Sequence, residues 1–401
     1  MAGTPVASWR CRWCAGAEGT VVLDLGEQPA ADVFPPVGTA DAEARYPLRM
    51  VLCAGCGLAQ LEDDPTEADE PRGVEPAALV AQAREAVADL AAAELAEPGA
   101  SAAEFPSPHG GSWSGLLAAH GLTVLDDGGA VDGVPADLVV DSLGMMHDPD
   151  QRAALAARAD RLTRDGVLAL HVHPLGTILR TSAWNALRHG HYAYYSVSWL
   201  VRAARDVGFV PVGLWRYSLY GGTVVLALAR AGSRPAERGA GTAALAALRD
   251  VLDEEDAAGV TNPRSVGRLQ DAVTRTATAL RSWLDDHRAE GVVGYGAASR
   301  AVSLLAVAGA TGADMIAVVD ASPAKEGLSM PGTRGSDGTA RVPIVDPSAL
   351  TVLRPRWVVL FVPDLLDEVR RQYPEVEASG GRWVVAEPTP VVVGPDPIRT
   401  R

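Results

Sequence analysis

Gly166-Val167-Leu168-Ala169-Leu170-His171-Val172 is an apolar run opened by a glycine and carrying a histidine next to its end. A run of that length and composition reads as a buried strand. Toward the N-terminus, Asp137-Leu138-Val139-Val140-Asp141 is a second strand, and Leu122-Thr123-Val124-Leu125, ending in Asp126 and Asp127, a third. A fourth ends at Glu104-Phe105, followed by a glycine-rich turn and a helix through Leu116 and Leu117. Toward the C-terminus, Phe209 to Trp215 and Thr223 to Ala229 read as a terminal antiparallel pair. Strands that alternate with helical segments predict a parallel sheet with crossover helices. An alanine-rich helical pattern through Leu79, Ala83, Val87 and Leu90 precedes this unit, starting at Pro76 and breaking at Pro98-Gly99.

Residues 231–242 are small, polar and rich in breakers, and read as a linker. A long helix is expected from Pro263 to Arg288, followed by a second α/β unit. Its strands are Val292 to Ala297 with a glycine turn, Ile316 to Asp320, Val358 to Val362 and Trp383 to Ala386. At the other end of the chain, the four cysteines form two pairs, Cys11 with Cys14 and Cys53 with Cys56. Each i, i+3 pair turns two thiolates toward one point, the arrangement tetrahedral zinc requires. Two disulfides or a redox pair are the competing readings. No secretory segment precedes the pairs, and a reducing cytosol favours thiolates. The expectation is therefore a structural zinc on Cys11, Cys14, Cys53 and Cys56, with no position open to substrate. The predicted architecture is α/β: a small N-terminal zinc module over residues 1–70, then two Rossmann-like doubly wound α/β domains over 71–232 and 243–401.

The 401-residue chain is long enough for several buried cores. It has no run of eighteen apolar residues, so no membrane span is expected. Its formal charge of −15 argues against nucleic acid or an anionic membrane as partner. A small-molecule substrate, a cytoplasmic location and a monomeric state are the expectations. Arginine carries nearly all the positive charge, and Lys325 is the single lysine.

Three stretches could carry chemistry. Glu104 stands before Pro106-Ser107-Pro108-His109-Gly110-Gly111-Ser112, where a glycine-rich turn lets backbone N–H groups approach an anionic group. Glu104, Ser107, His109 and Gly110, with Asp126 or Asp127 reaching ribose hydroxyls, are the cofactor candidates. In Arg188-His189-Gly190-His191-Tyr192-Ala193-Tyr194-Tyr195-Ser196, two histidines and three tyrosines crowd together. Histidine titrates near neutrality and is the usual general base, and tyrosine hydroxyls orient oxygenated substrates. A polar aromatic loop covering a domain face is the structural alternative. The third stretch joins Gly294-Tyr295-Gly296, Ser299 and Arg300 to Asp320, Ser322, Lys325 and Gly327. There Asp320 has the place of a Rossmann-like acidic residue, and Lys325, Arg300 and the glycine turn could hold a diphosphate.

Together these stretches resemble the zinc-containing nucleotide-sugar C-methyltransferases, S-adenosylmethionine enzymes that make branched deoxysugars for natural products. The resemblance spans most of the chain. It includes the paired cysteines with Cys56-Gly57-Leu58-Ala59-Gln60, the turn from Glu104 to Gly110 and the segment from His189 to Ser196. It also includes Tyr220-Gly221-Gly222, the Gly294 to Ala297 turn and the Val318 to Gly327 block. The resemblance implies S-adenosylmethionine as cofactor and a nucleotide-linked 4-keto-6-deoxy sugar as substrate. It implies His191 as the base that forms an enolate, with His189 or a tyrosine such as Tyr195 donating to the enolate oxygen. Tyr295, Ser299, Arg300, Asp320, Ser322 and Lys325 would hold the substrate. The chain departs from the family pattern at Gly190, where Glu is usual, at Arg188, where Tyr is usual, and at Pro108-His109, where Asn and Asp are usual. About eleven residues separate Asp126 from Asp137, fewer than the helix and strand that normally stand there. That shortening admits two further readings: a repurposed scaffold that cyclises or isomerises its substrate, or an accessory protein that binds a sugar nucleotide without turning it over.

Overall fold

Successive side chains of a strand point to opposite faces, and in this chain both faces of a small N-terminal sheet are covered. The computed structural model describes residues 9–39, 43–66, 75–107, 111–125 and 133–394. Strands β1 (Gly19–Pro29), β2 (Arg45–Cys53) and β3 (Ala59–Leu61) form an antiparallel meander. Along β2, Leu48, Met50 and Leu52 enter a core shared with the C-terminal unit, whereas Val51 and Cys53 enter a core shared with the central unit. The module is wedged between the two α/β units.

The central unit contains helices α1 (Ala77–Ala92), α2 (Ser114–Ala119), α3 (Gln151–Asp160), α4 (Leu175–Thr181) and α5 (Val197–Asp206). Its strands are β4 (Ser101–Phe105), β5 (Thr123–Val124), β6 (Ala136–Ser142), β7 (Leu162–Val172), β9 (Phe209–Tyr217) and β10 (Thr223–Arg230); β8 (Ala193–Tyr194) leaves this unit to pair with β3. The sheet order is β5-β4-β6-β7-β10-β9, parallel through β7 and antiparallel at β10 and β9. On β7, Leu168, Leu170 and Val172 face α3 and α5, while Val167 and Ala169 face α1 and α2. The two-sided burial explains why the sequence there is apolar without alternation. No strand lies between β5 and β6 among the described residues.

Three boundaries differ from the sequence reading, each for a local reason. Helix α1 stops at Ala92 because Glu94 turns left-handed (φ 56°) and Leu95 N–H bonds to Leu90 C=O, the Schellman closure. The linker stretch contains a short helix α6 (Arg234–Arg238) capped by Ser233, and is followed by α7 (Thr242–Ala258), which packs Leu248 and Val251 into the central core. The long helix expected from Pro263 is two, α8 (Pro263–Val266) and α9 (Leu269–His287), because Arg268 N–H bonds three residues back to Ser265.

The C-terminal unit adds α10 (Ser299–Ala308), α11 (Ala349–Leu353), α12 (Leu366–Gln372) and α13 (Glu375–Ala378). Strands β11 (Val292–Tyr295), β12 (Ala317–Val319), β13 (Ile344–Val345), β14 (Trp357–Leu360), β15 (Arg382–Val385) and β16 (Val391–Val392) lie in the order β13-β12-β11-β14-β15-β16. All are parallel except β16. No helix among the described residues is long and apolar enough to cross a membrane.

Two buried polar groups hold the carboxyl ends of the central strands. Arg158 Nε donates to Asp141 Oδ2 at 2.6 Å and its Nη2 lies 3.0 Å from Asp148, while Asp141 Oδ1 accepts from Gly144 and Met145 N–H. Arg158→Ala would leave Asp141 charged and unpaired in the core. The expected loss is about 3–5 kcal/mol in urea unfolding; a loss below about 1 kcal/mol, the worth of an exposed pair, would contradict it. His171 is fully buried, with Gln82 Nε2 donating to its Nε2 and its Nδ1–H donating to Ser142 Oγ, each at 2.9 Å. Burial lowers this imidazole from 6.5 to about 4. The unfolded chain therefore takes up the proton first, so the stability that neutral His171 supplies is full above pH 6.5 and drains away as pH falls toward about 4. His171→Gln should flatten the fall of Tm across that window, and an unaltered slope would exclude His171 as its source.

Candidate functional site

Four sulfurs at about 2.3 Å from a tetrahedral zinc stand about 3.8 Å from one another. Here Cys11 Sγ and Cys56 Sγ are 3.5 Å apart, Cys14 Sγ and Cys53 Sγ 3.6 Å, and all four lie within 4.8 Å of one another. None is in a disulfide. Tight turns aim them: Ala15 N–H bonds to Cys11 C=O at 3.0 Å, and Gly57, at φ 71°, bonds its N–H to Cys53 C=O at 2.9 Å. Hydrogen bonds from Cys53 and Cys56 pull the Cys11 thiol far down, and the same contact with Cys11 drives Cys53 and Cys56 up. Four thiols this close ionise together only around a cation. The donor set and its spacing fit a closed, structural zinc, and leave no position for substrate.

The histidine loop grows directly out of this module. Strand β8 pairs with β3, Ala59 with Tyr194 and Gln60 with Ala193. Leu61 N–H bonds to Tyr192 C=O at 3.2 Å, and the Arg12 guanidinium lies 4.6 Å above the Tyr192 ring. Gly190, at φ 82°, donates its N–H to Asp64 at 2.5 Å. That backbone setting suits glycine and would strain the glutamate usual in the resembled family. Arg188 is buried and reaches all three units, bonding Asp32 at 3.2 Å, its neighbour His189 C=O at 3.3 Å and Ser299 Oγ at 2.5 Å. The far end of the loop is fixed by Ser196, which caps α5, and by Glu255 of α7, which accepts from Val197 and Ser198 N–H.

The two loop histidines face opposite ways. His189 is buried and bonds through Nε2–H to Pro47 C=O at 3.2 Å, with burial lowering its basicity. The half-buried His191 turns to the central unit, its ring perpendicular to that of His147 at 4.6 Å between centroids. Tyr192 N–H bonds to Met146 C=O at 2.7 Å, so the two segments that carry these rings are hydrogen-bonded to each other. Sequence reading passed over His147; its signal is its position just beyond the carboxyl end of β6, where ligands of α/β sheets bind. Tyr195 belongs to the interior: it stacks on Trp199 at 5.4 Å, bonds Gln151, and burial pushes its hydroxyl well above the usual range. Tyr194 is likewise engaged, accepting from Arg188 N–H at 3.1 Å.

Strand order reverses between the parallel neighbours β4 and β6, since β5 lies on one side of β4 and β6 on the other, which makes their carboxyl ends the crevice of the central sheet. Pro106 and Ser107 stand on one side and Leu143 to Met145 on the other, with Gly144 so close to Pro106 C=O that a Cβ would lie 3.2 Å from it. Leu143 is left-handed, at φ 59°. Glu104 faces its own turn, accepting from Ser112 Oγ, Trp113 N–H, Ser114 N–H and Ser114 Oγ at 2.5–3.0 Å. His109, Gly110, Asp126 and Asp127 lie outside the described residues.

In the C-terminal unit the predicted residues divide. Asp320 closes the β11 turn, accepting from Ala297 and Ser322 N–H at 2.7 and 2.8 Å, and Lys325 is buried against Ala297 C=O at 2.8 Å and the Phe34 ring. Tyr295 packs with Tyr373 and Trp383 on the far face of the sheet. Arg300 instead faces the central unit, 3.5 Å from His173 Nδ1 and 5.2 Å above the Tyr220 ring. Tyr220 is left-handed at φ 58°, and Asp364 accepts from Gly221 N–H at 3.4 Å. A cleft of about 500 Å³ opens beside this turn, lined by Thr177, Arg180, Arg216, Thr223 and Glu254. The Thr223 hydroxyl is buried there without a hydrogen-bond partner.

Comparison with known proteins finds two domain models along the chain. Residues 11–69 match the model of a zinc binding domain, and residues 218–388 match that of the C-methyltransferase C-terminal domain. The C-methyltransferase NovU of Streptomyces niveus is 23% identical over 418 aligned positions, covering 96% of each chain. Among solved structures, magnesium protoporphyrin IX methyltransferase (ChlM) from Synechocystis PCC 6803 is 18% identical over 38% of this chain and 84% of its own, with a TM-score of 0.28. The 1,6-didemethyltoxoflavin-N1-methyltransferase of Burkholderia thailandensis is 16% identical over 44% of this chain and 97% of its own, with a TM-score of 0.26. The N-terminal module and most of the C-terminal part of the chain are thus matched by these two domain models, and a C-methyltransferase aligns along nearly the whole length of the chain.

Proposed function

We propose that this protein is an S-adenosylmethionine-dependent C-methyltransferase acting on a nucleotide-linked keto sugar, with His191 as general base. The observation that carries the reading is the perpendicular pair of imidazoles, His191 and His147, 4.6 Å apart beside the carboxyl end of β6. A carbon next to a ketone is acidic enough for an imidazole working near neutrality. His191 takes that proton, and an N–H of His147 donates to the enolate oxygen that develops. His189 and Tyr195 keep to their own partners, Pro47 and Gln151, and contribute by holding the loop and the core beneath it.

The crevice between Pro106-Ser107 and Gly144 suits a nucleoside-bearing cofactor at the reversal point of the sheet. Glu104 orders the turn, and Ser107, His109, Gly110, Asp126 and Asp127 are proposed to hold the cofactor. When bound, S-adenosylmethionine supplies an electrophilic methyl carbon. On the substrate side, Arg300 and Ser299 are presented toward the central unit, and Tyr295, Asp320, Ser322 and Lys325 shape the loops behind them. The cleft beside Thr223 and Arg180 offers an unmet hydroxyl and a cation to a phosphorylated polyol. In this reading residues 71–232 serve the cofactor and residues 243–401 the substrate.

A second reading, proton transfer without methylation, is favoured by the short stretch of chain between β5, which ends at Val124, and β6, which starts at Ala136. Calorimetry with S-adenosylmethionine and S-adenosylhomocysteine on zinc-loaded protein separates the two. Micromolar binding is expected, and its absence would leave the second reading. His191→Ala should lower turnover by about 10²–10⁴-fold, the usual worth of a general base, while cofactor affinity stays the same. Undiminished turnover would remove His191 from the mechanism.

A further inference from the structure

Gln60, the last residue of the Cys56 to Gln60 motif, is completely buried, and both ends of its carboxamide are used. Its Nε2 donates to Cys11 Sγ at 3.3 Å, and its Oε1 accepts from Arg12 N–H at 2.9 Å. The same residue sits in β3, opposite Ala193 of β8. Its partner Arg12 and its chain neighbour Leu61 both reach Tyr192, Arg12 through its guanidinium over the ring and Leu61 through its N–H on the carbonyl. Tyr192 follows His191 in sequence, and its N–H bonds to Met146 C=O, the residue before His147. Hydrogen bonds and one stacked cation thus lead from a cluster thiolate to Tyr192 and Met146, the chain neighbours of His191 and His147.

We propose that Gln60 is a positioning residue that transmits the geometry of the zinc-binding thiolates to the His191–His147 pair. The chemistry of the side chain fits this role. A carboxamide is uncharged and offers a donor to the thiolate and an acceptor to the Arg12 amide at once. Leucine of similar size offers neither, and glutamate sets a carboxylate against the thiolate. Outer-sphere donors of this kind orient ligands and affect metal affinity by about 10–100-fold. The loop needs an external brace because Gly190, at its centre, imposes little conformational preference of its own. The zinc module is in this account part of the active-site framework.

The functional meaning rests on His191 being the working group of the loop, but the test reads the imidazoles and not turnover, so it stands or falls separately from the proposed reaction. Full-length, zinc-loaded protein is labelled with ¹³C-histidine, and ring resonances are assigned through His147→Gln and His191→Gln. In Gln60→Leu holding its zinc, the His147 and His191 resonances should shift or broaden while those of His120 and His287 stay in place. Zinc release to a chelator should quicken about tenfold or more. Unmoved His147 and His191 signals would overturn the proposal, as would movement of all histidines alike. Should Gln60→Leu fail to fold, exchanging zinc for the larger cadmium in the unaltered chain provides the same readout. The two signals are then expected to move together, and their constancy would overturn the relay.

Discussion

Two residue pairs, Ala59 with Tyr194 and Gln60 with Ala193, stitch the cysteine module to the central unit as a fourth strand of its sheet. Nearly everything that distinguishes the histidine loop depends on this seam. It sets Tyr192 under Arg12, brings Gly190 to Asp64 and turns His189 onto Pro47, which leaves His191 facing His147. A two-residue strand cannot hold itself, since short ladders in water are marginal without a packed face. Here the ladder is held because both faces of the module are buried and because four thiolates are gathered at its root.

Buried charge reinforces the same junction. Arg188 joins Asp32 of the module, its own loop and Ser299 of the C-terminal unit, and none of these contacts is available to water. A guanidinium so placed tolerates no loosening, because an unpaired buried charge costs several kcal/mol. The arginine therefore makes the relative placement of the three units at this point all-or-none. Its presence where the resembled family uses tyrosine exchanges a hydroxyl for a structural tie, and Gly190, two residues on, adopts a left-handed backbone.

Much of this was legible in the sequence. The apolar runs that became β6, β7, β9, β10, β11, β14 and β15 announce themselves because strands buried on both faces need no alternation. The cysteine quartet is legible because its spacing is a local constraint. What the sequence hides is long-range. Strand β8 is two residues of a polar aromatic loop, and only the presence of β3 makes it a strand. His147 follows two methionines in an unremarkable turn, and it is paired there with a ring contributed from more than forty residues away. Conversely, Glu104, Asp320 and Lys325 have the residue types of ligand contacts, yet the bonds each makes go to turns of the protein itself, its own or the β11 turn at Ala297. Residue type and position suggest a polar role, but only the three-dimensional arrangement tells whether the partner is the protein itself.

The central claim is that the metal-bound module fixes the histidine loop. Hydrogen–deuterium exchange of the full-length chain, followed peptide by peptide before and after zinc is withdrawn by a chelator, tests it most directly. Protection should fall together in residues 9–61 and in 188–195, while β11 to β15 keep theirs. Loss confined to the cysteine module, with 188–195 exchanging as before, would contradict the account.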